Sequence, residues 1–368
     1  MRFHAADLTY CMNVHPAASM VDVMENVVKY AVPVKEQVCP DAPFGLGLWL
    51  PSGAVCYFAD HAAQFVDLLC EHDLYAFTFN GFPYGIFHGA RVKEQVYQPD
   101  WGKRARVDYT EALLVALSSL LPKGRCGSIS TVPVCYGKTL PAEAIYNLRA
   151  AADTARQISR IKNKKMFLAL EPEPDCYLEN TDDVLRFFEL LRREEPGITD
   201  VLGVCLDTCH FALQRECPRE AYRRIRAAGI PIPKVQLSTA LTYRSQEGQD
   251  GSETRAALAP FADDVYLHQT RVVGDGNVQR FSDLPQALQS CPEGEWLIHF
   301  HVPLHFSGNG AIGSTQGDLT AEFLRELADE PGLHLEIETY TFLVLPNASQ
   351  PVRESIADEY RFVLSGVG

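Results

Sequence analysis

The chain has 368 residues, of which 46% are hydrophobic and 22% are charged, and its formal net charge is −14. The absence of any run of about 18 uninterrupted apolar residues excludes a membrane-spanning helix, and the negative charge disfavours a nucleic-acid partner because it repels phosphates. The 11 cysteines are scattered without a Cys-x-x-Cys pair, and the first residues lack the apolar core of a secretory signal. We therefore expect a cytoplasmic protein with free thiols.

Strand-like and helix-like segments alternate along the chain, which is typical of parallel sheets with crossover helices. Eight strands are predicted, at residues 2–10, 45–50, 75–80, 127–133, 166–171, 202–207, 234–239 and 333–339. Two further extended runs, 265–272 and 296–302, exceed the number that a barrel needs, so they are either an inserted hairpin or a sign that the seventh unit is misassigned. The pattern predicts an α/β fold, a (β/α)8 TIM barrel, as a single domain over residues 1–368 with inserted extended segments near residues 240–305.

Two of the predicted crossover helices have clear boundaries. Residues 108–121 place leucines on one stripe and stop at Pro122, so this helix should pack on the outside of the barrel. Asn180 offers a capping oxygen to a second helix, whose apolar face begins at Val184 and which stops before Gly197. The polar stretch 242–254 is expected to form a loop over the site.

Four separated hydrophobic runs end in side chains that can bind divalent metals. These side chains are Glu171 with Glu173, Asp207 with His210, His299 with His301, and Glu336 with Glu338. Because all barrel strands point the same way, residues at their carboxyl ends gather on one rim. Side chains alternate across a strand, and the polar residues of these runs share one face, as do Gln236 and Ser238. Polar residues also end strands simply because loops begin there, but the shared phase favours one common site.

Two carboxylates, a third carboxylate and a nearby imidazole at the ends of these runs predict a site for a divalent cation such as Mn, Mg, Co or Zn. Without a cation, like-charged carboxylates buried together would repel one another or take up protons. The sequence therefore indicates metal-dependent chemistry on a small molecule.

At these residues the chain resembles the xylose-isomerase-like barrel superfamily, which contains sugar isomerases, ketose 3-epimerases and apurinic endonucleases. The shared markers are Glu171 on the fifth strand, Asp207 followed by His210 on the sixth, and a glutamate on the last strand. More specifically, the segments 169–174, 234–238, 266–269, 296–304 and 335–341, with Leu345-Pro346, resemble the metabolite traffic protein EboE family. That family is known from bacterial gene clusters linked to secondary-metabolite precursors.

The resemblance implies a role for each matching residue. Glu171 would be a metal ligand and acid/base group, Asp207 a second ligand, and Glu338 the final ligand, with Glu336 one layer deeper. Epimerases of this fold commonly place a ligand histidine on the seventh strand, where this sequence has the weaker donor Gln236. The histidine that fills this place is either His268 or His301, and His301 is the predicted ligand. The remaining candidates for substrate contact are His210, Gln236, His268, His299, Glu336 and Asn13.

These residues predict a metal-dependent isomerase or epimerase of a small polyhydroxylated carbonyl metabolite in a secondary-metabolite pathway. Glu171 and Glu338 would move a proton through an enediolate. One alternative is a non-catalytic metabolite-binding or traffic protein on the same barrel. Another is a metal-dependent phosphodiesterase, which would need a cationic groove that the acidic composition disfavours. The expected partner is a small molecule, and an oligomer is compatible with the sequence.

Overall fold

Parallel strands joined by crossover helices form the frame of the molecule. The computed structural model describes residues 1–245, 248, 251–346 and 350–367. The strands are β1 (Arg2–Phe3), β2 (Ala6–Tyr10), β3 (Phe44–Leu48), β4 (Leu74–Asn80), β5 (Gly127–Thr131), β6 (Met166–Leu170), β7 (Leu202–Asp207), β8 (Lys234–Leu237), β9 (Ala240–Arg244), β10 (Thr270–Gly274), β11 (Asn277–Phe281), β12 (Glu295–His301), β13 (Ile312–Ser314) and β14 (His334–Ile337).

The helices lie between these strands along the chain. They are α1 (Met20–Asn26), α2 (Val32–Val38), α3 (Ser52–Val55), α4 (Phe58–Glu71), α5 (Arg104–Leu120), α6 (Ala144–Lys162), α7 (Thr181–Glu194), α8 (Thr208–Leu213), α9 (Pro218–Ala227), α10 (Gly251–Leu258), α11 (Leu284–Ser290), α12 (Ala321–Ala328) and α13 (Val352–Ser365). A π-helical turn, Val27–Ala31, joins α1 to α2. None of the described helices has the length and apolar character that crossing a membrane requires.

Eight parallel strands make the barrel, in the order β2, β14, β8, β7, β6, β5, β4 and β3. The ring closes between β3 and β2 through a single parallel bridge from Cys11 to Gly47. The backbone N–H of Gly47 also donates to Thr9 Oγ1 over 2.8 Å at this seam. All eight predicted barrel strands are present, so the predicted fold class is confirmed.

The two supernumerary runs belong to an insertion between β8 and α12. Five antiparallel strands form it, in the order β11, β10, β12, β9 and β13, which is larger than the predicted hairpin. It has a separate core that includes Leu241, Val272, Trp296, Ile298 and Phe300. The insertion therefore accounts for the extra strands, and the seventh barrel unit was assigned correctly.

Strand β10 begins five residues later than the run predicted from the sequence. The backbone N–H groups of Val265 and Tyr266 donate to the Asp263 side chain, and that of His268 donates to Asp283. Because these N–H groups have carboxylate partners, they are not free to join the strand ladder. The segment before Thr270 is consequently a loop.

A network of ion pairs joins the insertion to the loop that follows β6. Arg271 of β10 is 1% exposed and donates to Asp175 over 2.7 Å and to Glu179 over 3.1 Å. Glu179 also accepts from Arg280 over 2.8 Å and from Lys138 over 2.7 Å. These ion pairs fix the inserted sheet beside the carboxyl ends of the barrel strands, where the predicted site lies.

The two helices with predicted boundaries are present with small changes. α5 begins at Arg104, four residues before the predicted start, and its leucine stripe is buried against the barrel. The Asn180 side chain accepts from the backbone N–H of Asp183 and caps α7 as predicted. Most of the stretch 242–254, predicted to be a loop, lies in β9 or α10, and its residues 246, 247, 249 and 250 lie outside the described residues.

Gly47 leaves space for the buried carboxylate of Glu336 at the barrel seam. A Cβ atom at position 47 would lie 2.0 Å from Glu336 Oε1 and 2.9 Å from Thr9 Cγ2. Both neighbours are fully buried, so neither has an open path to move aside. We expect Gly47→Ala to lower the free energy of unfolding by about 1–3 kcal/mol, as for other overpacked core positions.

Urea denaturation followed by circular dichroism measures this loss. The matched control is Gly85→Ala, because no atom lies within 4 Å of a Cβ at that exposed position. An unchanged midpoint for Gly47→Ala would contradict the tight packing at the seam.

Candidate active site at the carboxyl end of the barrel

Three carboxylates from distant parts of the chain meet at the carboxyl end of the barrel. Glu171 directly follows β6, Asp207 ends β7, and Glu338 directly follows β14. One oxygen from each lies within 4.8 Å of the other two, and all three side chains are buried. We call these residues the acidic triad. The structure brings together the three carboxylates to which the resemblance assigns metal binding.

Polar neighbours orient two members of the acidic triad. Glu338 Oε1 accepts from Asn13 Nδ2 over 2.9 Å and from Asn80 Nδ2 over 2.8 Å. Asp207 Oδ1 accepts from Ser238 Oγ over 2.6 Å and from the backbone N–H of His210 over 3.0 Å. These hydrogen bonds orient the two carboxylates. Asn13, which was predicted to contact the substrate, donates to a carboxylate of the triad and also lines the cavity described below.

The second oxygens of the triad have few partners. Glu171 Oε2 and Asp207 Oδ2 are buried and accept no hydrogen bond from any described residue. Burial is the main cause that raises the pKa of Glu171 and of Glu338, and the neighbouring carboxylates raise both further. Free buried oxygens and mutual repulsion are the features that a bound cation would satisfy. The donor set of three carboxylates therefore fits a hard or borderline divalent cation.

Lys234 offsets the negative charge of the triad only in part, because its ammonium is paired with another carboxylate. Its ammonium lies 2.6 Å from Glu336 Oε2, and both side chains are completely buried. Gln236 lies in the same layer and donates to Glu336 Oε2 over 3.5 Å. Gln236 and Glu336 were predicted to contact substrate, but this layer lies beneath the triad and neither residue lines the cavity described below.

His210 and His299 face each other beside the triad. His210 Nδ1 donates to the Pro172 carbonyl over 2.9 Å, and His299 Nδ1 donates to Gln269 Oε1 over 2.6 Å. Their Nε2 atoms are 3.1 Å apart. His299 comes from the inserted sheet, and burial lowers its pKa well below the usual value for histidine. Both residues line the cavity, as the predicted substrate contacts require.

The structure separates the two histidines considered as replacements for a ligand at Gln236. His301 Nδ1 donates to the Glu338 carbonyl over 2.9 Å, and its buried Nε2 has no partner in the described part of the chain. His301 can join Asp207 and His210 in a metal-binding group. His268 instead donates through Nδ1 to the His299 carbonyl and pairs through Nε2 with Asp263. Both nitrogens of His268 are used, so it has no free lone pair for a metal or a substrate.

A cavity opens above the triad between the barrel rim and the insertion. Its polar lining consists of Asn13, Asn80, Lys93, Glu171, Glu173, His210, His299 and Glu338. Its other walls are apolar or aromatic and consist of Phe82, Pro83, Phe87, Val92, Val96, Tyr97, Tyr266, Leu267 and Tyr340. A small molecule with oxygens at one end and an apolar face would match this division.

Glu173, Tyr97 and Gln269 form a chain of hydrogen bonds that was not predicted from the sequence. The Tyr97 hydroxyl donates to Glu173 Oε1 over 2.7 Å and accepts from Gln269 Nε2 over 2.8 Å. Burial raises the pKa of Glu173 to about 7. The sequence identified Glu173 as a candidate residue because it ends a hydrophobic run. It did not identify Tyr97, because the short 3-10 turn Lys93–Tyr97 has no periodic pattern of hydrophobic residues.

Comparisons with known proteins support the fold and not a specific activity. No protein-family profile matches the chain, and no curated protein matches it. A xylose isomerase-like TIM barrel protein from Mycobacterium smegmatis, solved in complex with magnesium, is similar in structure with a TM-score of 0.55 and 12% identity, covering 100% of this chain and 98% of that chain.

Two further solved structures have lower scores. They are the probable 3-DHS dehydratase AsbF from Bacillus anthracis (TM-score 0.49, 12% identity, 96% of this chain and 97% of that chain) and the IOLI protein with a bound zinc atom (TM-score 0.47, 11% identity, 97% and 96%). At these identities the likeness shows the fold alone. The fold is that of xylose isomerase-like TIM barrels, whereas the narrower resemblance to EboE stays a prediction.

Removal of Lys234 tests the ion pair beneath the site. Lys234→Met would leave Glu336 buried without its cation, so we expect a loss of about 3–5 kcal/mol in the free energy of unfolding. The double variant Lys234→Met with Glu336→Gln removes both charges and should recover most of that loss. Chemical denaturation of the single and double variants measures the difference, and equal destabilisation of both would contradict the pairing.

Proposed function

We propose that the protein is a metal-dependent isomerase or epimerase of a small polyhydroxylated carbonyl compound. The observation that supports this proposal most directly is the acidic triad, which is buried at the barrel rim and has unpartnered oxygens beside a cavity. Carboxylates in this position can both bind a cation and move a proton. The resemblance of segments 169–174 and 335–341 to EboE supports a place in a secondary-metabolite pathway.

Glu171, Asp207 and Glu338 would bind the cation, with His301 as the predicted fourth ligand. When bound, a divalent cation would act as a Lewis acid that stabilises negative charge on a carbonyl oxygen. The donor set does not distinguish among Mn, Mg, Co and Zn, because carboxylates bind all four and one imidazole is compatible with each.

Two carboxylates of the triad would move the proton. Glu171 presents its unpartnered Oε2, so it can accept the proton from the carbon next to the carbonyl. Asn13 and Asn80 occupy Glu338 Oε1 and leave Glu338 Oε2 for the return of the proton. Return of a proton from protonated Glu338 to the opposite face of the same carbon gives epimerisation. Return to the neighbouring carbon, with the hydroxyl proton on that carbon passing to the former carbonyl oxygen, gives isomerisation. In both cases the proton count is conserved and no oxidant is needed.

The aromatic walls would position the carbon skeleton of the substrate. Tyr340 and Phe87 lie with ring centroids 5.4 Å apart, and Tyr266 packs against both. Such a surface suits the apolar face of a sugar or cyclitol ring, whose hydroxyls would point toward Asn13, Asn80 and the triad.

A metabolite-binding protein without catalysis is the second candidate. Gln236 occupies the position where epimerases of this fold commonly have a histidine ligand, and it is hydrogen-bonded to Glu336 below the site. A phosphodiesterase has less support. Lys93 is the only cationic side chain among the described residues that line the cavity, apart from the histidines, and its ammonium pairs with Asp283 over 2.8 Å.

Glu171→Gln tests the proton transfer. The wild-type protein with Mn²⁺, in deuterated water with D-fructose or D-allulose, should replace protons next to the carbonyl by deuterium. We expect the exchange rate of the variant to be lower by a factor of about 100 or more, since general acid–base groups contribute about 10²–10⁴-fold to the rate. Proton NMR measures the exchange. Glu189→Gln, on the exposed face of α7, is the control and should behave as wild type.

Three outcomes separate the candidates. Exchange that persists in Glu171→Gln contradicts the mechanism. Sugar binding without exchange in the wild type favours the metabolite-binding alternative. If the wild type shows neither binding nor exchange, D-fructose and D-allulose are rejected as substrates.

Asp207→Asn tests the cation at the triad. An asparagine keeps an oxygen to cap the helix that begins after position 207, but it replaces the free carboxylate oxygen with an amide. We expect the manganese bound by the untagged protein, measured by elemental analysis after dialysis, to fall at least tenfold. Asp60→Asn on α4 is the control, because it lies far from the site on the protein surface. Unchanged metal content in Asp207→Asn would contradict the assignment.

A further inference from the structure

The cavity above the triad is too small and too enclosed for the molecule that it would bind. Its volume is about 50 Å³, whereas pockets that hold small-molecule ligands have volumes of about 300–1,000 Å³. All but one of the residues that line it are buried, and the exception, Val96, is half-buried. A substrate therefore enters or leaves only if part of the cavity wall moves.

One segment of that wall is a single layer of chain between the cavity and the solvent. Residues 85–98 lie between β4 and α5, and Phe87, Val92, Lys93 and Tyr97 of this segment are buried and line the cavity. The residues of the segment that are exposed on its outer side are Gly85, Ile86, Gly89, Ala90, Arg91, Glu94, Gln95 and Gln98. Movement of this segment alone would open the cavity to the solvent.

Hydrogen bonds fix the chain on both sides of this segment. The fully buried guanidinium of Arg106, on α5, donates to the carbonyl of Gly81 over 2.7 Å and to that of Phe82 over 3.2 Å. It also donates to the carbonyl of Pro99 over 2.7 Å. Because one side chain holds the chain before and after residues 85–98, these residues can move as a unit while β4 and α5 stay in place.

The middle of the segment is joined to the insertion through Lys93. Its ammonium donates to Asp283 Oδ2 over 2.8 Å and to the Asp263 carbonyl over 3.0 Å. The Val265 carbonyl accepts from the backbone N–H of Val92 over 2.8 Å and from that of Lys93 over 3.0 Å. The Lys93 side chain is buried, so its charge has lost most of its hydration and depends on these partners.

The backbone of Lys93 has a conformation that lysine rarely adopts. Its φ angle is 41°, in the left-handed region that favours glycine. Such a conformation persists where surrounding contacts hold it, and here those contacts are the ion pair and the backbone hydrogen bonds to the insertion. Loss of the contacts would release the strain, which reduces the free-energy difference between the closed segment and an open one.

We propose that residues 85–98 form a lid over the active site and that Lys93 is the latch that holds the lid closed against the insertion. Substrate and product would pass after the Lys93–Asp283 pair and the hydrogen bonds to Val265 break. Closure would exclude water from the triad while a proton is moved. The lid rests on the proposed function only in that a small molecule occupies the cavity.

Amide hydrogen exchange measures the opening of the lid without a ligand. Lys93→Met removes the ammonium, and Asp283→Asn removes its partner charge but keeps an oxygen for the backbone N–H groups of His268 and Leu284. In both variants we expect peptides from residues 85–98 to exchange at least about tenfold faster than in the wild type, because the buried ion pair no longer opposes local opening. Peptides from β12 should exchange as in the wild type.

Arg244→Met is the matched control, because it removes the cation of an exposed ion pair of the insertion, in which Arg244 lies 3.1 Å from Glu295. It should leave the exchange of residues 85–98 unchanged. Unchanged exchange of residues 85–98 in both Lys93→Met and Asp283→Asn overturns the lid. An equal rise in the lid and in β12 means that the pair stabilises the whole fold, which overturns the latch.

Release of Mn²⁺ separates the lid from the proposed function. Protein loaded with Mn²⁺ is mixed with excess chelator, and electron paramagnetic resonance follows the loss of the bound ion. We expect release from Lys93→Met to be faster than from the wild type by a factor of about three or more, because the open lid exposes the triad. Faster lid exchange in a protein that binds no Mn²⁺ supports the lid and contradicts the metal of the proposed function. Equal release from the two proteins overturns the control of access by the lid and leaves the triad assignment intact.

Discussion

Repulsion among desolvated carboxylates is the constraint on which the site depends. Glu171, Asp207 and Glu338 are buried at the barrel rim, and burial together with neighbouring carboxylates raises the pKa of Glu171 and of Glu338. Hydrogen bonds from Asn13, Asn80 and Ser238 stabilise only one oxygen of Glu338 and one of Asp207. Glu171 Oε2 and Asp207 Oδ2 have no hydrogen-bond partner among the described residues, so these two buried oxygens are available to a cation.

The layer below the triad is arranged in the opposite way. Lys234 and Glu336 neutralise each other inside the barrel, and Gln236 joins them through a neutral side chain. A histidine at position 236 would lie in this layer next to Lys234, where a second cationic group is disfavoured. A glutamine at position 236 thus suits the barrel interior, and its presence does not by itself exclude metal binding at the triad. Gly47 completes the layer, because its missing side chain leaves space for the Glu336 carboxylate.

The barrel and the acidic triad could be predicted because both follow from local periodicity. Alternation along a strand determines which face Glu171, Asp207 and Glu338 share, and parallel strands bring equivalent positions together. The roles of His268 and His301 could not be separated in this way, since they depend on the pairing of the inserted strands and on Asp263, which occupies the Nε2 atom of His268. Tyr97 lies on a turn without a periodic sequence pattern, so its hydrogen bond to Glu173 could not be predicted from the sequence.

The insertion changes what the barrel rim can bind. Strand ends of the barrel supply hard oxygen donors, while β12 adds His299 and His301, which are softer nitrogen donors. The buried ion pairs of Arg271 with Asp175 and Glu179 fix the position of the inserted sheet relative to the barrel loops. The loop that contains Asp175 and Glu179 also contains Glu173 and Pro172. Since the Pro172 carbonyl accepts a hydrogen bond from His210, the contacts that fix the insertion also stabilise the orientation of the His210 ring. The inserted sheet thus places imidazole nitrogens beside the carboxylate oxygens that the barrel strands contribute.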